Sequence, residues 1–152
     1  MPPPSTSSAL HLQVLPEPFF VVQLQPGQEI APCVLKDLTS GKSGFFSVTR
    51  TKDEVSIVGE SYKWMPSSYK EQSTWMCIRI QGPMEHSLTG IMASLTAPLK
   101  VAKVPVFALS TWNTDYVLVP SEMLADAIRV LERDGWVFLQ GPKTRSARLV
   151  AG

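Results

Sequence analysis

The chain has 152 residues, 44% of them hydrophobic and 18% charged, and a formal net charge of +1. That length serves one compact domain or two tightly fused small ones, and excludes a large enzyme with a separate cofactor domain. The near-neutral balance lacks the basic footprint of a duplex-binding protein, which argues against nucleic acid as a partner.

Residues 1 to 8, rich in Pro, Ser and Thr, read as a disordered tail. No basic segment followed by an apolar stretch opens the chain, and the longest apolar runs are strand-sized, far below the ~20 residues that span a bilayer. A cytoplasmic protein without membrane contact is expected. LHLQVL (10 to 15), FFVVQL (19 to 24), FFSVTR (45 to 50) and EVSIVG (54 to 59) are β-type runs separated by turn residues. Between the second and third, Pro26, Gly27, Pro32 and Gly41 leave room for only a short helix around Cys33 to Leu38. The string GKSG (41 to 44) has Lys36 where a phosphate-binding loop needs its first glycine, so no phosphate cradle is expected there.

The second half reads as βαββαβ. WMCIRI (75 to 80) is a strand. After Gly82 and Pro83, residues Leu88, Ile91, Met92, Leu95 and Leu99 recur at helical spacing, with Ser87 as N-cap and Pro98 disturbing the last turn. VPVFAL (104 to 109) and YVLV (116 to 119) form a hairpin. A second helix follows Ser121, presents Leu124, Ala127, Ile128 and Leu131 on one face, and stops at Gly135. WVFL (136 to 139) is expected to close as a strand, and residues 141 to 152 form a basic, flexible tail. FFSVTRTKDEVSIV (45 to 58) overlays VFALSTWNTDYVLV (106 to 119) without a gap at an offset of 61, pairing Phe46 with Phe107, Thr49 with Ser110 and Glu54 with Asp115. Two hairpins of one template are implied, hence an α+β fold with an antiparallel sheet and helices on one face.

Catalytic chemistry finds little support. His11 and His86 have no nucleophile partner in a recognised motif, and Glu85 with His86 supplies too few ligands for a metal. Cys33 and Cys77 lie 44 residues apart without CxxC spacing, which fits reduced thiols. No enzyme, cofactor or metal is expected.

Two polar segments are candidates for binding. In QGPMEHSLTG (81 to 90) a strand passes through Gly82 into a helix, so the backbone amides of Ser87, Leu88, Thr89 and Gly90 suit a carboxylate. In STWNTD (110 to 115), Ser110, Thr111, Asn113, Thr114 and Asp115 gather donors and acceptors, and Asp115 can neutralise an ammonium group. Each segment also has an ordinary structural use. Ser87 can cap a helix, Gly90 can allow close packing, and Asn, Thr and Asp are common turn residues.

The stretch GPMEHSLTGIMASLTAPLKVAKVPVFALSTWNTDYVLVPSEMLADAIRVL resembles the ACT-domain family, in particular small tandem-ACT proteins related to the CASTOR arginine sensors and aspartokinase regulatory domains. LHLQVLPEPFFVVQL and FFSVTRTKDEVSIV resemble it too, so the similarity covers residues 10 to 139. The resemblance implies a ferredoxin-like tandem, with a degenerate ACT-like subdomain over 9 to 72 and an ACT subdomain over 73 to 140. It also implies a non-catalytic sensor that holds a free amino acid at Gly82 to Gly90 and Ser110 to Asp115. A homodimer and a regulated enzyme or signalling protein are its implied partners. The alternative is a dimerisation or enzyme-docking module without a ligand.

Overall fold

The computed structural model describes residues 8–41, 44–82 and 90–139. In chain order these form a 3-10 turn (Ser8–Leu10), β1 (Leu12–Val14), β2 (Phe19–Leu24), α1 (Pro32–Ser40), β3 (Phe46–Arg50), β4 (Val55–Glu60) and the one-turn α2 (Ser67–Lys70). There follow β5 (Trp75–Ile80), α3 (Ile91–Val101), β6 (Phe107–Ser110), β7 (Asp115–Pro120), a second 3-10 turn (Ser121–Met123) and α4 (Leu124–Arg133). The architecture is α+β and ferredoxin-like. Contacts divide the chain into two units, Glu17–Trp75 and Met1–Pro16 with Met76–Gly152. Among the described residues no helix is long and apolar enough to cross a membrane.

In the Glu17–Trp75 unit, β4 lies between β3 and β2 and is antiparallel to both. Alternation along the strands turns Phe20 and Val22 of β2, and Val55 and Ile57 of β4, to one face. There they pack with Val34 of α1 and Tyr69 of α2. Helix α1 opens with Pro32 at its first position, where a missing N–H costs nothing, and ends at Gly41 with φ of 69°. It is nine residues long, slightly more than the proline pattern promised. The Tyr62 hydroxyl donates to Asp37, tying the chain after β4 back to α1. Burial pushes the Tyr69 phenol above its ordinary pKa, and Cys33 adds to the shift in the same direction.

In the other unit the strand order is β1-β5-β7-β6. Strand β1 is antiparallel to β5, with Leu12 opposite Ile80 and Val14 opposite Ile78. The run 10 to 15 therefore groups with residues 76 to 139 and not with the first subdomain, 9 to 72, that the sequence reading placed it in. The reason is burial: fully covered Leu12 completes the cluster of Ile78, Ile80, Val117 and Val119 under Ile91, Leu95 and Leu99 of α3 and Ala127 and Leu131 of α4. WVFL, expected as a strand, makes a single parallel bridge between Leu12 and Phe138. Its bonds run from the Leu12 amide to the Val137 carbonyl (2.8 Å) and from the Leu139 amide to the Leu12 carbonyl (2.7 Å).

Both long helices of this unit end in the same motif. After α4 the Trp136 amide donates to the Leu131 carbonyl and the Gly135 amide to the Glu132 carbonyl, each at 3.0 Å, with Gly135 at φ 103°. After α3 the Val104 amide donates to the Leu99 carbonyl (2.9 Å) and the Lys103 amide to the Lys100 carbonyl (3.0 Å), with Lys103 at φ 60°. These are Schellman closures, whose left-handed residue is normally glycine. A lysine there costs roughly 1 kcal/mol. Lys103→Gly is accordingly expected to stabilise the protein by about 1 kcal/mol in urea denaturation.

The duplicated hairpin is present, at an offset of 60 and not 61. Arg50 lies opposite Val55 and Ser110 opposite Asp115, so both loops have the same length. The Thr51 amide donates to the Glu54 carbonyl and the Thr111 amide to the Thr114 carbonyl, both at 2.9 Å. The Asp53 amide meets the Thr51 hydroxyl (3.1 Å) as the Asn113 amide meets that of Thr111 (3.3 Å). Pairing Phe46 with Phe107 is therefore one residue out of step, and in a strand one residue exchanges the two faces. Thr51 is the counterpart of Thr111, and Ile57 that of Val117.

Candidate functional site

The two candidate segments approach each other at one point within the unit that holds both. Gly82 follows β5 with φ of +61°, a conformation that favours glycine. A Cβ placed there would stand 3.0 Å from the Thr114 Cβ, 3.2 Å from its hydroxyl and 3.4 Å from the Asn113 carbonyl oxygen. Thr114 is 3% exposed, and its hydroxyl donates to the Ile80 carbonyl at 3.0 Å. The end of β5 and the β6–β7 turn are thus locked together by a buried hydrogen bond over a side-chain-free glycine. The Gly82 amide is engaged by the Ala9 carbonyl at 2.8 Å, so it does not serve as an anion donor.

The turn itself is largely self-satisfied. The Thr111 hydroxyl accepts from the Asn113 and Thr114 amides and donates to the Thr114 carbonyl. Ser110 donates to Asp115 Oδ1 at 2.6 Å. Asp115 is half-buried, and among the described residues its second oxygen has no hydrogen-bond partner, whereas Ser110, Thr111 and Asn113 are exposed. Trp112 at the tip is 84% exposed.

On the other segment, Ser87, Leu88 and Thr89 lie outside the described residues, as do Glu85 and His86. The helix expected to start from a Ser87 cap starts at Ile91, with Gly90 in the capping position at φ 75°, ψ 1°. Among the described residues nothing lies within 4 Å of a Cβ built on Gly90, and its left-handed backbone by itself calls for glycine there. Because Gly90 has no side chain to cap, the first-turn amides of α3, from Ile91 onward, have no capping oxygen from it. The sequence reading missed these donors by placing the helix start one turn early; the glycine before an apolar helical run was the available sign. Among the described residues no group of His, Cys, Asp or Glu is arranged to hold a metal ion. Cys33 is exposed, Cys77 is buried, and neither forms a disulfide.

Residues 70–133 match the model of the ACT domain. This segment is an ACT domain. It contains β5, α3, β6, β7 and α4, and therefore both candidate segments. The chain is 33% identical over 101 residues to the cytosolic arginine sensor for mTORC1 subunit 1 of Bos taurus, a match that covers 62% of this chain and 31% of that protein. It thus spans about a third of the length of the arginine-sensor relatives it matches. A protein of Agobacterium tumefaciens of known crystal structure is 29% identical, with a TM-score of 0.68 over 85% of this chain and 91% of that one. The structure of the aspartokinase alpha and beta subunits has a TM-score of 0.58 at 12% identity, covering 82% of this chain and 96% of that one; this is a likeness of fold alone.

Proposed function

We propose that the protein is a cytoplasmic, non-catalytic regulator that binds a free amino acid at the junction of the β5–α3 turn and the β6–β7 turn. The observation that supports this reading is the Gly82–Thr114 contact, which sets the end of β5, where the first polar segment begins, against the β6–β7 turn. The α-carboxylate is held by backbone amides from Ser87, Leu88, Thr89 and Gly90 into the first turn of α3, where the positive end of the helix dipole favours an anion. Asp115, oriented by Ser110, takes the ammonium group through its second oxygen. The Glu17–Trp75 unit acts as a second, degenerate ACT-like subdomain. A homodimer completes the assembly, which passes the signal to a regulated enzyme or signalling protein.

A thermal-shift screen against all proteinogenic amino acids, arginine first because of the similar sensor, tests the reading. A ligand at ~100 times its Kd stabilises by about 2.7 kcal/mol. For a chain of this size that raises Tm by roughly 5 to 10 °C. Asp115→Asn, whose amide oxygen still accepts from Ser110, is expected to weaken binding about tenfold or more, the value of a lost charged hydrogen bond. A flat screen sinks the proposal. It would favour a docking module instead, a reading that the internally satisfied hydroxyls of Thr111 and Thr114 already support.

A further inference from the structure

Away from these turns, α3 and the chain leading into β6 enclose a shallow groove of about 650 Å³. Ala93, Ala97 and Lys100 form its helix wall, Lys103 stands at the turn, and Pro105 and Val106 form the opposite wall. The hairpin register extends the groove along the strand. Ala108 lies opposite Val117, whose side chain belongs to the core beneath the helices, so Ala108 shares that face and Val106, two residues earlier, continues it. Both are exposed.

Strand β6 is the end of its unit's sheet order, and among the described residues it pairs only with β7. The Thr111 amide bonds to the Thr114 carbonyl. By the alternation of an antiparallel ladder, Leu109 and Phe107 then exchange bonds with β7, while Ala108 and Ser110 direct their amides and carbonyls outward. An unpaired ladder edge runs beside an apolar trough, the arrangement that accepts an added strand.

The charge of the groove says what kind of strand. No acidic side chain lines it, and neither Lys100 nor Lys103 has an ion-pair partner among the described residues. Lys103 also occupies the left-handed position that Gly135 fills in the equivalent closure of α4, so the fold tolerates backbone strain where it presents this cation. We propose that the groove binds an extended acidic segment of a partner protein. That segment adds to β6 as a strand, lays an apolar side chain against Ala93 and Ala97, and sets carboxylates against Lys100 and Lys103.

The test uses the full chain, without added amino acid, and a short fluorescent peptide of alternating valine and glutamate; a valine–lysine peptide is the control. Saturable anisotropy is expected with the first peptide and none with the second. Slowed hydrogen exchange is expected at the amides of Ala108 and Ser110. Lys103→Gly, which relieves strain and so keeps the fold, is expected to weaken binding about fivefold. Lys100→Glu with Lys103→Glu should weaken it more than about tenfold. Ala108→Pro, which removes only an outward amide, should abolish it. Equal binding of both peptides, unchanged affinity in Lys103→Gly, or unprotected Ala108 and Ser110 amides at saturation overturns the proposal. So does a dimer, in the absence of peptide, that Ala108→Pro dissociates, since a second copy would then hold the edge.

Discussion

Gly82→Ala is expected to destabilise the protein by about 3 kcal/mol, whereas Gly90→Ala costs only about 1 kcal/mol. Both glycines have positive φ, +61° and +75°, so both substitutions carry the penalty of placing a Cβ in left-handed backbone. They differ in what the new methyl meets. At Gly90 nothing among the described residues lies within 4 Å. At Gly82 the methyl meets Thr114 Cβ at 3.0 Å and its hydroxyl at 3.2 Å. Thr114 cannot yield cheaply, because its Cβ is fixed to the backbone and its hydroxyl satisfies the Ile80 carbonyl. The difference between the two variants in urea denaturation therefore isolates the close approach from the backbone term. It also bears on the proposed site: Gly82→Ala separates the segments and should weaken amino-acid binding along with stability. Equal costs for the two variants would show that the contact between β5 and the β6–β7 turn is loose.

The strands were legible because their signal is local. Alternating Val, Ile and Phe between turn residues marked β2 to β7, and the apolar stripe of α4 with Gly135 beyond it marked that helix and its stop. What was not legible is long-range or depends on one dihedral. LHLQVL looks the same whichever strand it pairs with, and only the shared cluster with Ile78 and Ile80 assigns it to the second unit. Matching phenylalanines gives an offset of 61, whereas the geometry is set by the turns and gives 60. Thr51 and Thr111, which bond their own loops in the same way, were the better landmarks. The start of α3 was misplaced because serine is the commoner cap, and glycine at φ 75° gives no polar signal. At the site, the separate segments could be read from their polar residues. Their meeting could not, since it rests on a contact between residues 82 and 114 and a bond spanning residues 80 and 114.

In the Glu17–Trp75 unit the largest single effect is expected at Phe20, where substitution by alanine should cost about 3 to 5 kcal/mol. Its ring is fully buried and lies 6.0 Å from that of Phe46, edge-on, and 5.5 Å from that of Tyr69. Each aromatic pair adds about 0.5 to 1.5 kcal/mol beyond the area removed from water. The floor beneath the ring is also shaped for it: a Cβ on Gly59, directly across the ladder, would come within 3.0 Å of the Phe20 ring. Nothing at Gly59 can fill the space that alanine leaves, because the same Cβ would stand 2.7 Å from the Phe45 carbonyl oxygen. The cavity therefore persists instead of collapsing, which puts the cost in the upper part of the range. Phe20→Leu keeps most of the volume and loses only the ring contacts, so about 1 to 1.5 kcal/mol is expected. With a urea m-value of about 2 kcal/mol per molar, the alanine variant shifts the midpoint by roughly 2 M and the leucine variant by less than about 1 M. Similar shifts for both would mean that the ring contacts, and not the filled volume, hold this core together.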